Sequence, residues 1–327
     1  MKDNRTPIPK GTKIDYDNSK QKIVFTVADV IGYGGSCIVY DAFYTDTYGI
    51  RHNCILKQLY PLYENADTLY KWDNVPVTES QLDRFLHASE IQKNISQENA
   101  TVNTTSLLYS VFSYQDSVYF QCSEKNFGSS MDKIHFDNLH EYFFVLLQTA
   151  RIISEYHQQG WLHLDIKPQN IFCKTSEDHH FSVLMFDFDS LIKTDCVADS
   201  SHVISCSRNY APPEVLQGMR KNIGIFSDFY ETGCMLFEKI FGRFPKSTEI
   251  SGFKSYPWSE STLKNSKNSE LLSALKDFFR HTITVSVKKR YQTDDDFVNA
   301  LENLYQLSYE QKRTVVSNFT TPSIFFR

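Results

Sequence analysis

Apolar positions along the chain fall into two regimes. From Ile23 to about Glu124 the apolar runs are short and rich in β-branched and aromatic residues: Ile23-Val24-Phe25, Ile38-Val39-Tyr40, Cys54-Ile55-Leu56 and Val118-Tyr119-Phe120. Such runs predict strands. One helical stretch interrupts them, Leu82 to Ile95, with apolar residues at 82, 85, 86, 91 and 95. After Asn126-Phe127-Gly128 the period lengthens, and helices are predicted near 139–158, 227–241, 268–283 and 294–305. A strand-rich half followed by a helix-rich half predicts an α+β protein with two lobes. The boundaries that follow are a polar lead-in over 1–22 containing Pro7, Pro9 and Gly11, a strand-rich part over 23–124, a helix-rich part over 125–306, and a segment over 307–327 without clear periodicity. There are no internal repeats.

Composition narrows the class. The 327 residues include 41% hydrophobic and 22% charged residues, the balance of a globular protein with a buried core. A net charge of −5 argues against a general polyanion-binding surface, so no nucleic-acid partner is expected. No apolar run approaches the roughly eighteen residues needed to cross a bilayer, and Met1-Lys2-Asp3-Asn4-Arg5 lacks the apolar core of a signal peptide. The seven cysteines, with no Cys-x-x-Cys pair, predict reduced thiols and a cytoplasmic location. On that reading the Asn-x-Ser/Thr matches at Asn94, Asn99, Asn103 and Asn318 are accidents of composition.

The most specific chemistry lies in His163-Leu164-Asp165-Ile166-Lys167-Pro168-Gln169-Asn170, preceded by a helical run that Gln159-Gly160 should stop. One short loop here holds a carboxylate, a lysine two residues on and an asparagine five residues on. Phosphoryl transfer needs such a set: a carboxylate for the attacking hydroxyl, a cation for the moving charge and a neutral oxygen ligand for Mg²⁺. The loop resembles the protein-kinase catalytic loop, H-R-D-x-K-P-x-N, with Leu164 in place of arginine.

Other segments carry the same resemblance in the same order. Ile31-Gly32-Tyr33-Gly34-Gly35-Ser36-Cys37-Ile38-Val39-Tyr40 lies between two predicted strands and is similar to the kinase glycine-rich loop, with Cys37 where the third glycine usually sits. A Rossmann reading is excluded because that motif needs a helix after the loop. Asn53-Cys54-Ile55-Leu56-Lys57 resembles V-A-I-K, and Phe186-Asp187-Phe188-Asp189 resembles D-F-G with Asp189 replacing the glycine. Cys206-Ser207-Arg208-Asn209-Tyr210-Ala211-Pro212-Pro213-Glu214 is similar to the end of an activation segment. Ser227-Asp228-Phe229-Tyr230-Glu231-Thr232-Gly233 and Lys289-Arg290-Tyr291 match later structural motifs.

The resemblance covers about 23–305. It implies a bilobal protein-kinase-like fold, a β-rich N-lobe and a mainly helical C-lobe, with Mg-ATP as the phosphoryl donor and Ser/Thr-bearing proteins as acceptors. It also implies residue roles. Asp165 orients the substrate hydroxyl and accepts its proton, Lys167 neutralises the γ-phosphate, and Asn170 and Asp187 hold Mg²⁺. Lys57 orients the α- and β-phosphates beneath the loop of Gly32, Tyr33, Gly34, Gly35, Ser36 and Cys37. Val39, Ile55 and Phe172 would line the adenine site, with the hinge around Gln121–Glu124. A helix glutamate should pair with Lys57: Glu90 is the candidate, with Glu79 and Glu98 as alternatives. Asp228, Glu214 and Arg290 are implied structural supports.

The departures carry expectations of their own. Cys37 adds a side chain near the phosphates, and Asp189 removes the backbone freedom of glycine. Leu164 cannot capture a phosphate on the activation segment, so activity is expected without phosphorylation there. Three functions remain open: an active Ser/Thr protein kinase, a pseudokinase or nucleotide-binding module, and a small-molecule phosphotransferase. Lys167 and the Pro-Pro-Glu segment count against the third. The oligomeric state is not legible.

Overall fold

The computed structural model describes residues 5–17, 22–62, 70–98, 105–126, 128–175, 181–199, 204–252 and 255–316. The chain divides into two compact units, α+β in sum: a strand-rich unit up to residue 127 that also takes in Asp187–Asp189, and a mainly helical unit made of the rest.

The first unit is a six-stranded antiparallel sheet of β1 (Lys13–Asp17), β2 (Lys22–Tyr33), β3 (Cys37–Thr45), β4 (Arg51–Leu59), β5 (Leu108–Tyr114) and β6 (Val118–Glu124), in the order β1-β2-β3-β4-β6-β5. Helix α1 (Glu79–Glu98) joins β4 to β5 in sequence. Strand alternation sends Ile38, Tyr40 and Ala42 of β3 and Cys54 and Leu56 of β4 into one core with Phe25, Phe112 and Phe120. Gln58 points into the same core and is satisfied there: it accepts from Tyr40 Oη at 2.8 Å and donates to the Trp72 carbonyl at 2.8 Å.

The lead-in corrects the expected boundary at residue 22. Ile8 and Ile14 are buried in this core, and β1 pairs with β2 from Lys13↔Thr26 to Asp17↔Lys22. Residues 5–17 therefore belong to the strand-rich unit. Its sequence signal is weak because Lys13-Ile14-Asp15-Tyr16-Asp17 offers only two apolar positions between charges.

The second unit begins with β7 (Ser129–Ser130), followed by α2 (Leu139–Gln158), β8 (Trp161–Leu162), β9 (Ile171–Thr175), β10 (Phe181–Met185) and β11 (Ile192–Lys193). Helices α3 (Pro213–Leu216), α4 (Ile225–Phe241), α5 (Ser247–Ile250), α6 (Ser269–Arg280) and α7 (Asp294–Val316) complete it. Asn138 caps α2 by accepting from Glu141 N at 3.0 Å, and Asn268 caps α6 by accepting from Leu271 N at 2.9 Å. Helix α4 is buried along almost its whole length, from Ser227 to Phe237, and makes the centre of this unit. Gly233 is required there, since a Cβ would come within 2.7 Å of Thr282 Cβ. Helix α7 runs past the expected end near 305 to Val316, so the first ten residues of the unassigned tail continue a helix. Residues 317–327 lie outside the described residues.

Candidate active site

Within the strand-rich unit the sheet register assembles the Lys57 group. Lys57 on β4 lies opposite Val39 on β3 and Gln121 on β6, and Ile55 lies opposite Asp41 and Ser123. Directly opposed residues share a face, so Val39, Ile55, Lys57 and Gln121 stand on one side of the sheet. Gln121–Glu124, where the hinge is expected, forms the end of β6; beyond it Lys125 Nζ pairs with Asp41 at 2.8 Å.

The glycine-rich loop is the turn between β2 and β3. Gly32 and Tyr33 still pair with Val39 and Ile38, and Gly34 N–H donates to the Cys37 carbonyl at 2.8 Å. The carbonyls of Gly35 and Ser36 accept from Leu62 N and Tyr60 N, each at 2.9 Å. Arg5, which the sequence did not single out, donates to the Gly34 carbonyl at 2.7 Å and to the Cys37 carbonyl at 3.4 Å. Its guanidinium also lies 5.9 Å from the Tyr33 ring centroid. The Cys37 side chain is buried with Leu59 and Phe85, and burial pushes its thiol up to about 12.

The Lys57 partners correct another. Among the described residues its carboxylate partners are Asp189, with Nζ to Oδ1 at 3.2 Å, and Asp187, at 3.3 Å. Glu90 stands exposed on α1 and forms no pair with Lys57; Glu79 is exposed too, and the side chain of Glu98 lies outside the described residues. The buried positions of α1 are instead Phe85, Ala88, Ser89, Ile91, Gln92 and Ile95. Ser89 accepts from Gln121 Nε2, which itself stands beside Lys57 across the sheet. Burial acts to lower the Lys57 pKa, but the charges of Asp189 and Asp187 outweigh it and hold the ammonium well above its ordinary value. Asp187 has a left-handed φ of +65°, a strained conformation for a non-glycine residue and typical of functional turns.

Within the helical unit the loop after β8 brings Asp165, Lys167 and Asn170 together. Lys167 Nζ lies 2.6 Å from Asp165 Oδ2 and donates to Ser207 Oγ at 2.8 Å. Ser207 N–H donates to Asp165 Oδ1 at 2.8 Å, consistent with its place in the activation-segment motif. Asn170 Nδ2 donates to the Asp165 carbonyl at 2.9 Å, with Oδ2 at 3.3 Å. The amide nitrogen is thus committed to the loop, leaving Asn170 Oδ1 as the neutral oxygen donor that Mg²⁺ favours. The exposed fraction of the Asp187 side chain, 40%, offers the charged oxygens of the same donor class. These donor types fit the metal that the family implies. Phe172 on β9 is half-buried, with its ring 5.3 Å from that of Phe186.

Helix α4 fixes this loop from beneath. Asp228 accepts from His163 N and Leu164 N, both at 2.8 Å, and Glu231 accepts from Ile166 N at 2.7 Å. Three acceptor bonds from one helix, to the N–H groups of residues 163, 164 and 166, hold a backbone that turns left-handed at Leu164, φ +58°. His157 at the end of α2 bridges Asp228 Oδ2 at 2.9 Å and Asp294 Oδ1 at 2.6 Å. Burial works to lower the His157 pKa, but the bonds and charges of the two aspartates raise it to about 9. Burial, with the like charge of Asp228, pushes Glu231 well above the carboxylate range. Sequence reasoning found Asp228 but missed Glu231 and His157. A signal was present: Asp228 and Glu231 sit three apart on a largely apolar helix, a spacing that places both on one face.

The activation segment is held by a different chemistry. Leu164 is buried in a cluster with Leu162, Ile192, Val197, Ala211 and Val215, and Ile204 and Cys206 pack against it. Glu214 forms a two-pronged, fully buried pair with Arg290, at 2.6 and 2.9 Å, and also accepts from Ser227 Oγ at 2.9 Å. These are the supports that the motifs imply.

Comparison with known proteins points to one family. A family model described as the protein kinase domain matches residues 25–305. A probable serine/threonine-protein kinase of Clostridium acetobutylicum is 24% identical over 282 residues, covering 86% of this chain and 40% of the relative. The serine/threonine-protein kinase mph1 of Schizosaccharomyces pombe is 25% identical over 274 residues, covering 73% of this chain and 34% of the relative. The chain thus spans well under half the length of these relatives. With the family match extending over most of its residues and the catalytic-loop geometry in place, the chain belongs to the protein kinase domain family.

Proposed function

We propose that this chain transfers the γ-phosphoryl group of Mg-ATP to serine or threonine hydroxyls of protein substrates. The observation that carries this is the hydrogen-bonded set of Asp165, Lys167, Asn170 and Ser207. Asp165 has one oxygen fixed by Ser207 N–H and the other beside Lys167 Nζ, which keeps its carboxylate aimed. In that state it orients the acceptor hydroxyl and takes its proton. Lys167 neutralises charge on the transferred group, while Lys57 orients the α- and β-phosphates. Bound Mg²⁺, held by Asn170 and Asp187, would supply further charge neutralisation. Val39, Ile55 and Phe172 would contact adenine, and the Gly32–Cys37 backbone the phosphates.

The burial of Leu164 among apolar residues of the activation segment supports activity without phosphorylation of that segment. Seven unpaired cysteines suit a reducing compartment such as the cytoplasm. No helix among the described residues is long and apolar enough to cross a membrane. One observation favours a second reading, a nucleotide-binding module without turnover: the absence of a Lys57–Glu90 pair.

The test is transfer of labelled phosphate from Mg-ATP to the protein itself and to generic protein substrates. Label on serine or threonine that disappears in Asp165→Asn establishes the activity. ATP binding without label from folded protein would select the binding module.

A further inference from the structure

The carboxylate that holds Lys57 comes from an unexpected place. Lys57 Nζ lies 3.2 Å from Asp189 Oδ1, at the third position of Asp187-Phe188-Asp189 where the motif has glycine. The helix that should supply a glutamate turns uncharged residues inward. Ser89 is bonded to Gln121, the cross-strand neighbour of Lys57, Ala88 is buried beside it in sequence, and Glu90 faces solvent.

The second carboxylate at Lys57, Asp187, cannot do the same work under load. On the reading proposed above, its oxygens would hold Mg²⁺, a duty that would compete with its hold on the ammonium. Asp189 has no such competing duty. Its side chain is 30% exposed and that of Lys57 21%, enough enclosure for their attraction to exceed that of a solvated surface pair.

We propose that Asp189 is the positioning residue for Lys57, doing from the 187–189 segment what a helix glutamate would do from α1. The loss of glycine and the loss of the helix glutamate are then one exchange. It follows that the readiness of Lys57 is set by the conformation of residues 187–189 and not by the placement of α1. This inference rests on the nucleotide-binding role of Lys57 but not on phosphoryl transfer.

The experiment is a double-mutant cycle on ATP affinity, measured by calorimetry with and without Mg²⁺ on the full chain. Its members are Asp189→Asn, Asp189→Gly, Asp189→Glu, Lys57→Met and the Lys57→Met/Asp189→Asn pair. Asp189→Asn and Asp189→Gly should each weaken ATP binding about tenfold, as expected for loss of a charge-assisted bond. Asp189→Glu should restore part of it, melting temperatures should stay near wild type, and Asp189→Asn should cost nothing further when Lys57 is methionine. Wild-type affinity in Asp189→Gly, or an equal loss with and without Lys57, overturns the proposal. The transfer assay is run in parallel. A wild-type protein that binds ATP with this coupling yet transfers no phosphate would sink the proposed function and leave the role of Asp189 standing.

Discussion

Asp165 and Lys57 each face partners of opposite charge, but they are held in contrasting ways. Around Asp165, Lys167 and Asn170 come from the same eight-residue loop while Ser207 joins from the activation segment, and three backbone N–H groups of that loop bond to carboxylates of a single buried helix. Around Lys57 the partners lie 130 and 132 positions away, at 3.2–3.3 Å, with side chains 30–40% exposed. On the roles proposed above, the contrast separates two tasks. As proton acceptor Asp165 must stay in one place, and buried bonds from α4 to its loop hold it there. As phosphate-binding residue Lys57 is held by partly exposed pairs, of which the one to Asp187 can rearrange when a ligand arrives.

Breaking the brace of the first site should be the costliest change. Asp228→Ala would strand two buried N–H groups and one side of the His157 imidazolium, for about 3–5 kcal/mol of stability. Asp189→Asn should cost at most about 1 kcal/mol, as a partly exposed pair does. Denaturant melts of both variants test the contrast directly; equal losses would erase it.

A pH series sharpens the same point. His157 has a folded pKa of about 9, above its ordinary 6.5. A raised histidine contributes stability that is fully present below pH 6.5 and lost as pH climbs through 9. The size is on the order of 3 kcal/mol for a group this buried. Thermal melts at pH 6, 8 and 9.5 should show the decline, and His157→Gln should flatten it while lowering the melting temperature at pH 6.

Smaller effects are expected where the first unit is touched. Arg5→Ala removes the guanidinium bonds to the Gly34 and Cys37 carbonyls. It should raise KM for ATP severalfold, about 1 kcal/mol of lost loop order, with kcat little changed. An unchanged KM would show that the loop keeps its shape alone. The smallest effect is predicted for Thr194→Ala with Ser205→Ala, because Leu164 packs on apolar residues of the activation segment. Activity within about twofold of wild type is the expected result in the transfer assay; a dead but folded protein would refute it. Ser200 and Ser201, also in the segment, lie outside the described residues.

How far the sequence could be read follows from the same contrast. The catalytic loop was legible because its chemistry is contiguous and its spacing is fixed by a short turn. Glu214, Asp228 and Arg290 were legible as motif positions. The partner of Lys57 was not, since choosing among Glu79, Glu90 and Glu98 needs the rotation of α1 against the sheet. The apolar pattern at 82, 85, 86, 91 and 95 misjudged that rotation. Ser89 and Gln92 are buried through polar bonds, while Leu86 is 42% exposed. Strand β1 was missed for a related reason: its pairing to β2 leaves little trace in five residues with two apolar positions.

Arg5 gives the glycine-rich loop a handle. Its guanidinium grips two carbonyls of the turn and lies against Tyr33, while Ile8, three residues on, is anchored in the core. Residues 5 to 8 therefore form a short lever with its fulcrum in the sheet. A displacement of Arg5 reaches the Gly34, Cys37 and Tyr60 carbonyls together, coupling the turn between β2 and β3 to the end of β4.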